Sequence, residues 1–445
     1  MRKILVALFI FPFIVKGQVN SVSPFTLFGV GDLSEGYFAK NISMGGTYSA
    51  LRDPLFINLA NPASLSSLEL TSLDFGVTHR FLRQTDQNSG NSINNQNTYF
   101  HYFAMGFKFK EWWGSAISLT PYSQIGYSVF TQEEHPDFGF TQYNFQGDGG
   151  INQIVWGNSF ELWKSLSLGV NARYLFGTNR KRISAEFEDR TFLNSRRNEE
   201  LRVSDVVFDF GLQYEIKLDR DAEDPKFYHK NLVIGATYGN NSQVNANQSL
   251  VDYTYGYDNS NIEVPVDTTN SVIGYKGSIM LPTKYSVGLS YGGLTKAKFG
   301  NSWMVTADFT QTNWSEYNNF EGEQGLKNSR KFSVGGYFIP RYSFKQSGRG
   351  SYFGEIEWRM GVFYEDSHIQ VDNQPVTVQG FTAGFNLPFK PKNLIPGDQK
   401  LNNFSFGIVV GTKSSESNTL ITEDFINLTF GLTFNDLWFQ KRKYR

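Results

Sequence analysis

From about residue 69 onward the chain alternates apolar and polar positions with a period of two. In 425–434, Ile426, Leu428, Phe430, Leu432 and Phe434 share one face, and Asn427, Thr429, Gly431 and Thr433 share the other. In 205–216, Val206, Phe208, Phe210, Leu212, Tyr214 and Ile216 oppose Asp205, Asp209, Gly211, Gln213 and Glu215. Segments 284–292, 355–364 and 403–411 repeat the pattern. Sandwich strands average ~5–6 residues, whereas these runs reach about nine or more, the length that crosses a bilayer at ~45° tilt. Their apolar faces are also too numerous and too aromatic for one core. The alternation therefore predicts an all-β fold, a transmembrane antiparallel β-barrel with apolar faces toward lipid and polar faces toward a lumen.

The expected strands lie near 69–82, 97–110, 114–131, 139–159, 164–182, 202–217, 231–247, 270–292, 301–312, 329–338, 353–364, 376–388, 401–412 and 424–434. That is about 14, an even number as closed single-chain barrels require. The segment 270–292 reads either as one strand interrupted at Pro282 or as two. The long polar connections 183–201, 248–269 and 314–328 fall on one side by strand parity, which is then extracellular. The connections 110–113, 160–163 and 293–300 are short and fall on the other. Two further connections there, 218–230 and 389–400, are longer than the usual periplasmic turn.

The stretch before the strands has no period. Gly29, Gly31, Gly36, Gly45 and Gly46, with Pro54 and Pro62, break any regular element between 18 and 65. Yet Phe25, Phe28, Phe38, Leu55 and Phe56 make it too apolar for a free tail in water. A barrel interior supplies the surface they need. Residues 18–65 are therefore expected to form a plug, those five side chains to seal the barrel or line an apolar pocket, and 66–440 to form the barrel.

Composition narrows the picture further. Aromatic residues make up 16% of the chain, including 23 Tyr and 41 Phe, which suits aromatic girdles at the two membrane interfaces. Mean hydropathy is -0.36, and after the first 17 residues no apolar run of ~20 could form a spanning helix. Residues 1–17 read as a secretory signal: Arg2 and Lys3, then apolar Ile4 to Val15, then small Gly17, with cleavage before Gln18. Export and a barrel together point to the cell outer membrane. The terminal Lys441-Arg442-Lys443-Tyr444-Arg445 is expected to be a periplasmic tail.

A net charge of -1 suggests no nucleic-acid partner. With no cysteine there are no disulfides, thiolate nucleophiles or thiolate metal sites. His79, His101, His135, His229 and His368 show no ligand spacing, and no Gly-Lys-Ser/Thr occurs. Neither an enzyme nor a cofactor or metal is expected. The inward-facing charges Arg173, Asp209, Asp308, Lys331, Glu355, Glu357 and Arg359 read more readily as a paired network holding the plug than as a gate. Placing any of them toward lipid would cost ~2–4 kcal/mol at the midplane.

Several short motifs occur in a suggestive order: Met44-Gly45-Gly46, Asn61-Pro62-Ala63, Pro121-Tyr122-Ser123 at the third strand, Leu281-Pro282 leading to Gly288-Leu289-Ser290-Tyr291, and Asp308-Phe309 to Trp314-Ser315. In this the chain resembles the FadL/TodX family of outer-membrane transporters. Its ending, Phe434-Asn435-Asp436-Leu437-Trp438-Phe439, is similar to those of Bacteroidetes outer-membrane proteins. The resemblance implies a 14-stranded barrel with an N-terminal hatch at Gly45, Gly46, Asn61, Pro62 and Ala63. It implies a hydrophobic small-molecule ligand, and sideways exit to the membrane lipid beside a kinked third strand at Pro121, Tyr122 and Ser123. Pro121 has no N–H to give to a neighbouring strand, which suits such a break.

Two readings follow. The first is a passive transporter of hydrophobic molecules. The second is a non-conducting barrel subunit of an outer-membrane assembly or secretion complex, favoured by the hydrophilic loops Asn241 to Asn261 and Asn313 to Asn328. The lumen discriminates, because a transporter needs an apolar pocket that reaches the third-strand gap.

Overall fold

The computed structural model describes residues 22–436, apart from short stretches of which 221–227, 295–299, 343–351, 390–401 and 416–420 are the longest. The expected signal at 1–17 and the basic tail at 441–445 lie outside the described residues.

Fourteen long strands close into one antiparallel barrel. In chain order they are β2 (Thr71–Asp86), β3 (Ser92–Lys110), β4 (Trp113–His135), β5 (Gly139–Glu161), β6 (Leu166–Phe187), β7 (Asn194–Arg220) and β8 (Tyr228–Gly239). After β9 (Ser242–Tyr257) and β10 (Glu263–Leu281), which stand outside the ring, come β11 (Lys284–Leu294) and β12 (Gly300–Thr312). The short β13 (Asn318–Asn319) and β14 (Gly322–Glu323) lead to β15 (Ser329–Tyr342), β16 (Glu357–Val371), β17 (Gln374–Phe389), β18 (Asn402–Ser415) and β19 (Ile421–Asp436). A two-residue β1 (Asp32–Leu33) belongs to the N-terminal segment. The barrel closes where β19 pairs β2, from Ile421 with Asp86 to Asp436 with Thr71.

Period-two alternation sets the register. On β19, Ile426, Phe430 and Phe434 are exposed on the outer face, while Thr429 and Thr433 are buried inside. On β7, Val206, Phe208, Phe210, Leu212 and Tyr214 face out, and Gln213 faces in. An outer belt of this kind has no partner among the described residues, and lipid is the medium that would cover it. At the short-turn end Trp112, Trp113, Phe109 and Phe160 stack on one another, as an interfacial aromatic girdle does.

The strand count was legible but two segments were not. The expected 231–247 strand is the end of β8 and the start of β9, and 270–292 is the end of β10 and the start of β11. The break at Pro282 is thus the second of the two readings. Between β8 and β11, which pair directly, the chain makes an additional hairpin. Its β9 runs beside the outer half of β7, from Asn194–Tyr255 to Val203–Ala246. The expected loops 183–201 and 248–269 are therefore largely strand. Alternation weakens there because few positions are covered, Val203, Val244, Ala246 and Tyr255 on one face, while Val264 to Gly277 of β10 stand in solvent on both.

The barrel wall is consequently uneven. Strands β4, β5, β6 and β7 have 23, 23, 22 and 27 residues, where ~10 cross a bilayer. Strands β8, β11 and β12 have only 12, 11 and 13. One side rises as a tall sheet and the other ends in a low rim.

Candidate functional site: a locked floor and a split wall

Residues 38–68 fill the barrel's lower lumen, and most of them are buried. Their backbone lies directly against inward-facing wall glycines. A β-carbon at Gly235 would strike Ser49, one at Gly169 would strike Pro62 and Ala63, and one at Gly335 or Gly361 would strike Met44 or Gly45. Glycine at these wall positions is a requirement of close approach. The alternation places glycines such as Gly211 and Gly431 on polar faces but gives them no role. Inward glycines clustered at one level of several strands are the signal that was missed.

Hydrogen bonds fasten the same contact. Asn61 caps a short 3-10 helix, Pro62–Ser67, by accepting from the Ala63 amide at 3.1 Å, and its Nδ2 donates to Ser49 O at 2.6 Å. From the wall, Ser159 Oγ donates to Ala63 O, Asn171 Nδ2 to Leu59 O and Ser290 Oγ to Ala50 O. Gly45 and Gly46 take φ of +70° and +78° in a tight turn, and the Gly45 amide donates to Thr382 Oγ1 at 2.8 Å. The hatch residues expected at 45, 46 and 61–63 are thus all in one buried, wall-bonded layer.

The charges divide into groups. Asp308 Oδ2 accepts from the amides of Tyr48 and Ser49 at 2.7 and 2.8 Å. Lys40 bridges Asp53 and Glu357, and Glu357 also holds Arg359 at 2.8 Å. Burial works against the Lys40 charge, but Asp53 and Glu357 outweigh it and raise its pKa. Arg52 reaches Glu161 and Glu215. Higher up, Arg173 pairs Asp209 at 2.7 Å, and Lys331 lies over the Tyr37 and Phe363 rings. Glu355 departs from expectation. It ends a short 3-10 helix, Tyr352–Glu355, before β16 begins, and is not an inward strand residue.

The proposed pocket residues do not form one pocket. Phe25 packs with Ile369 and Val376, Phe28 lies beside that cluster and the Trp314 cluster, and Phe38 stacks on Tyr102 at 4.3 Å. Phe56 packs against the clusters around Phe38 and Met44, and Leu55 is only partly buried. None of the five lines the central cavity, a space of about 390 Å³ above the floor. That cavity is bounded by Asp32, Arg80 and Lys413, by Arg173 and Asp209, and by Tyr99, His101 and Tyr122. These charges alternate with apolar lining from Leu33, Ile42, Val207, Val409 and Phe425, so the cavity is mixed, and not the continuous apolar pocket that the first reading required.

At the third barrel strand, β4, the wall is split. Strand β4 pairs β5 along its whole length, from Trp113–Phe160 to His135–Gly139, with one bulge between Pro121 and Ser123. On its other edge it pairs β3 only from Lys110–Trp113 to Phe103–Leu119. No β3–β4 pair follows among the described residues. The ladder ends two residues before Pro121, at the height where Phe103 and Leu119 still carry apolar surface outward. Cavity residues stand on both sides of the split, Tyr99 and His101 on β3 and Tyr122 and Gln124 on β4. The bulge turns Tyr122 inward under the Arg173 guanidinium, and Ser123 is buried.

The N-terminal segment occupies the vacated edge. In β1, Asp32 registers with Gln124 and Leu33 with Ser123, and the Ser34 amide donates to Tyr122 O at 2.9 Å. Asp32 is clamped from behind by Arg80 of β2 at 3.3 Å and Lys413 of β18 at 3.4 Å. Burial opposes the Asp32 charge, but Lys413 and Arg80 outweigh it and hold its carboxyl below the usual range. Among the described residues no group of three or more His, Asp or Glu could hold a metal ion.

Solved barrels share this architecture. The Ralstonia pickettii toluene transporter TbuX matches with a TM-score of 0.54 at 14% identity, over 90% of this chain and 99% of that one. The Pseudomonas putida toluene transporter TodX matches with 0.55 at 13%, over 92% and 100%. A Pseudomonas aeruginosa FadL homologue matches with 0.51 at 10%, over 89% and 97%. At these identities the likeness is one of fold. No curated protein matches the sequence. The FadL/TodX resemblance read from the motifs therefore holds for the architecture, while the family is a different one: the BamG profile matches residues 1–445, the whole chain, and the protein belongs to the BamG family.

Proposed function

We propose that the protein is a passive outer-membrane conduit in which a hydrophobic or amphipathic molecule enters the cavity from outside and leaves sideways between β3 and β4. The observation that carries the reading is the split above Leu119, adjoining the cavity within and apolar wall without. A lateral route leaves the floor in place, so the residues at 45, 46 and 61–63 act as a fixed seal and not as a moving hatch. No energy source is needed, because transfer from water into lipid is downhill for an apolar molecule. The solved barrels of this fold include proteins named as toluene transporters, which suits a small hydrophobic cargo.

The test uses the absence of cysteine. Leu33 and Ser123 are register partners, so the pair Leu33→Cys with Ser123→Cys gives a disulfide that locks β1 onto β4. In proteoliposomes carrying the unlocked protein, uptake of toluene or a fluorescent long-chain fatty acid is expected to exceed that of empty vesicles. Oxidising the double variant is expected to abolish the excess and reduction to restore it. Uptake no faster than in empty vesicles overturns the transport reading.

A second reading, a non-conducting subunit of an outer-membrane complex, draws on the sealed floor and on the tall sheet, which exceeds what a channel wall needs. It is the reading left standing if the vesicles take up nothing.

A further inference from the structure

The tall sheet ends in an open edge. Strand β10 pairs β9 on one side, from Glu263–Tyr257 at the tip to Leu281–Ser242 at the base. On its other side the only partner among the described residues is Asn318 of β13, opposite Met280. Above that point the low rim of β8, β11 and β12 leaves the edge without a neighbour. Nearly every residue from Val264 to Gly277 is exposed.

Soluble edges of this length are usually blunted by charge, proline or bulges. Here Pro265 and three bulges lie along the ladder with β9, but the run Thr268–Tyr275 carries no charge at all. It presents Val272, Tyr275 and, on the bulge, Ile273, which is 78% exposed. Bulges confine a neighbouring strand to short ladders, at Asn270–Val272 and from Tyr275 downward. Uncharged β-branched edges of this kind pair with other strands if nothing prevents it.

From this geometry we infer that the outer edge of β10 is a docking site for an extended strand of a separate cell-surface polypeptide, added antiparallel to the sheet. Three features identify the occupant. The chain itself starts such a ladder, with β13 antiparallel on this edge and Phe320 packed over Gly277, so the vacant positions continue an existing interface. The charges are placed at the ends, Asp267 toward the tip and Lys276 toward the base, so an antiparallel partner needs an acidic residue, a neutral run of about eight residues and then a basic one. Finally, none of the described outer segments of this chain covers the edge above Asn318. A second upright copy in the same membrane would set Asp267 against Asp267 and Lys276 against Lys276.

This inference is independent of transport. Its test is hydrogen–deuterium exchange on the full-length protein, extracted gently from its own membrane and again after stripping with mild denaturant. Amides of 268–278 are expected to exchange roughly tenfold or more slowly in the native extract than in the stripped barrel. A photo-crosslinking residue at Val272 or Tyr275 should give one discrete product with a separate polypeptide, and the same residue on the low rim at Gly239 should give none. The double variant Asp267→Lys with Lys276→Glu should lose both the protection and the product while keeping the heat-modifiable mobility of a folded barrel. Fast exchange in both samples overturns the inference. So does protection accompanied by a product of twice the chain mass or by a crosslinked glycolipid.

Discussion

The N-terminal segment meets the barrel in two ways, and the contrast assigns different duties to its two halves. Residues 38–68 press backbone against wall glycines and are fastened from several strands at once. Residues 24–34 bond to the wall along one strand edge, through the β1 register with β4, the Thr26 hydroxyl accepting from the Gly126 amide at 3.2 Å, and the Asp32 clamp, while Phe25 and Val30 pack on Ile369, Val376 and the Trp314 cluster. Removing the first contact exposes buried amides and opens a void. Releasing the second costs one short ladder, a partly solvated ion pair and the packing of Phe25 and Val30. A segment that holds tightly below and lightly above seals the floor while leaving the side wall free to change.

The sharpest way to break the contrast is to unseat the lower half. Gly235→Val puts a branched side chain where Ser49 O lies. Overpacking of this kind costs ~1–3 kcal/mol or more, and here the plug backbone cannot yield without losing its other bonds. The variant is expected to give a barrel with a strongly lowered Tm, or none in the membrane, read by heat-modifiable gel mobility. The same substitution at Gly256, where only the Leu193 side chain lies within reach, should leave mobility unchanged.

A smaller effect is expected from Asp308→Ala. It leaves the Tyr48 and Ser49 amides buried without their acceptor, and each unsatisfied donor costs ~1–3 kcal/mol. Thermal unfolding should shift down, and exchange should quicken at residues 48–50 but not at 30–34. Equal loosening of both halves would mean that the segment moves as one body and that the contrast is wrong.

What the chain disclosed in advance follows from where each signal comes from. Period-two alternation needs lipid on one side and a lumen on the other, so it was clean for β19 and β7 and located the barrel. It weakened at 183–201 and 242–281, where only a few positions such as Val244, Ala246 and Tyr255 are covered and most of β10 meets water on both faces. The plug's apolar residues correctly required a buried place, but apolarity alone does not distinguish a pocket from a seal. Phe38 against Tyr102 is packing, and the cavity is lined instead by Arg80, Lys413 and Tyr99. Pro121 marked the interrupted strand because a missing N–H is a local property. The edge that lost its partner, on the β3 side, could be seen only in three dimensions, as could the β1 strand that fills it. Glu355 was misplaced because the strand begins only at Glu357, after a short helix that alternation does not reveal.

The mildest perturbation tests the upper half by itself. In Asp32→Asn the two cations stay, the shape stays, and only the charge that ties β1 to Arg80 and Lys413 is lost. Partly exposed pairs contribute ~1 kcal/mol or less, so Tm should hardly move. Exchange at the Ser34 amide should nevertheless quicken several-fold, and uptake should rise if β1 covers the exit. Acid should act in the same direction. The Asp32 carboxyl lies below its ordinary 3.8 in the folded protein, so the stabilisation it provides is complete above that value and is lost as pH falls through the lower, folded one. Loosening of β1 near pH 5, corrected for the intrinsic exchange rate, would therefore point to a group other than Asp32. Loosening that begins only below about 3.8, and is absent in Asp32→Asn because the clamp is already open, would identify this carboxylate as the latch between the plug and the split wall.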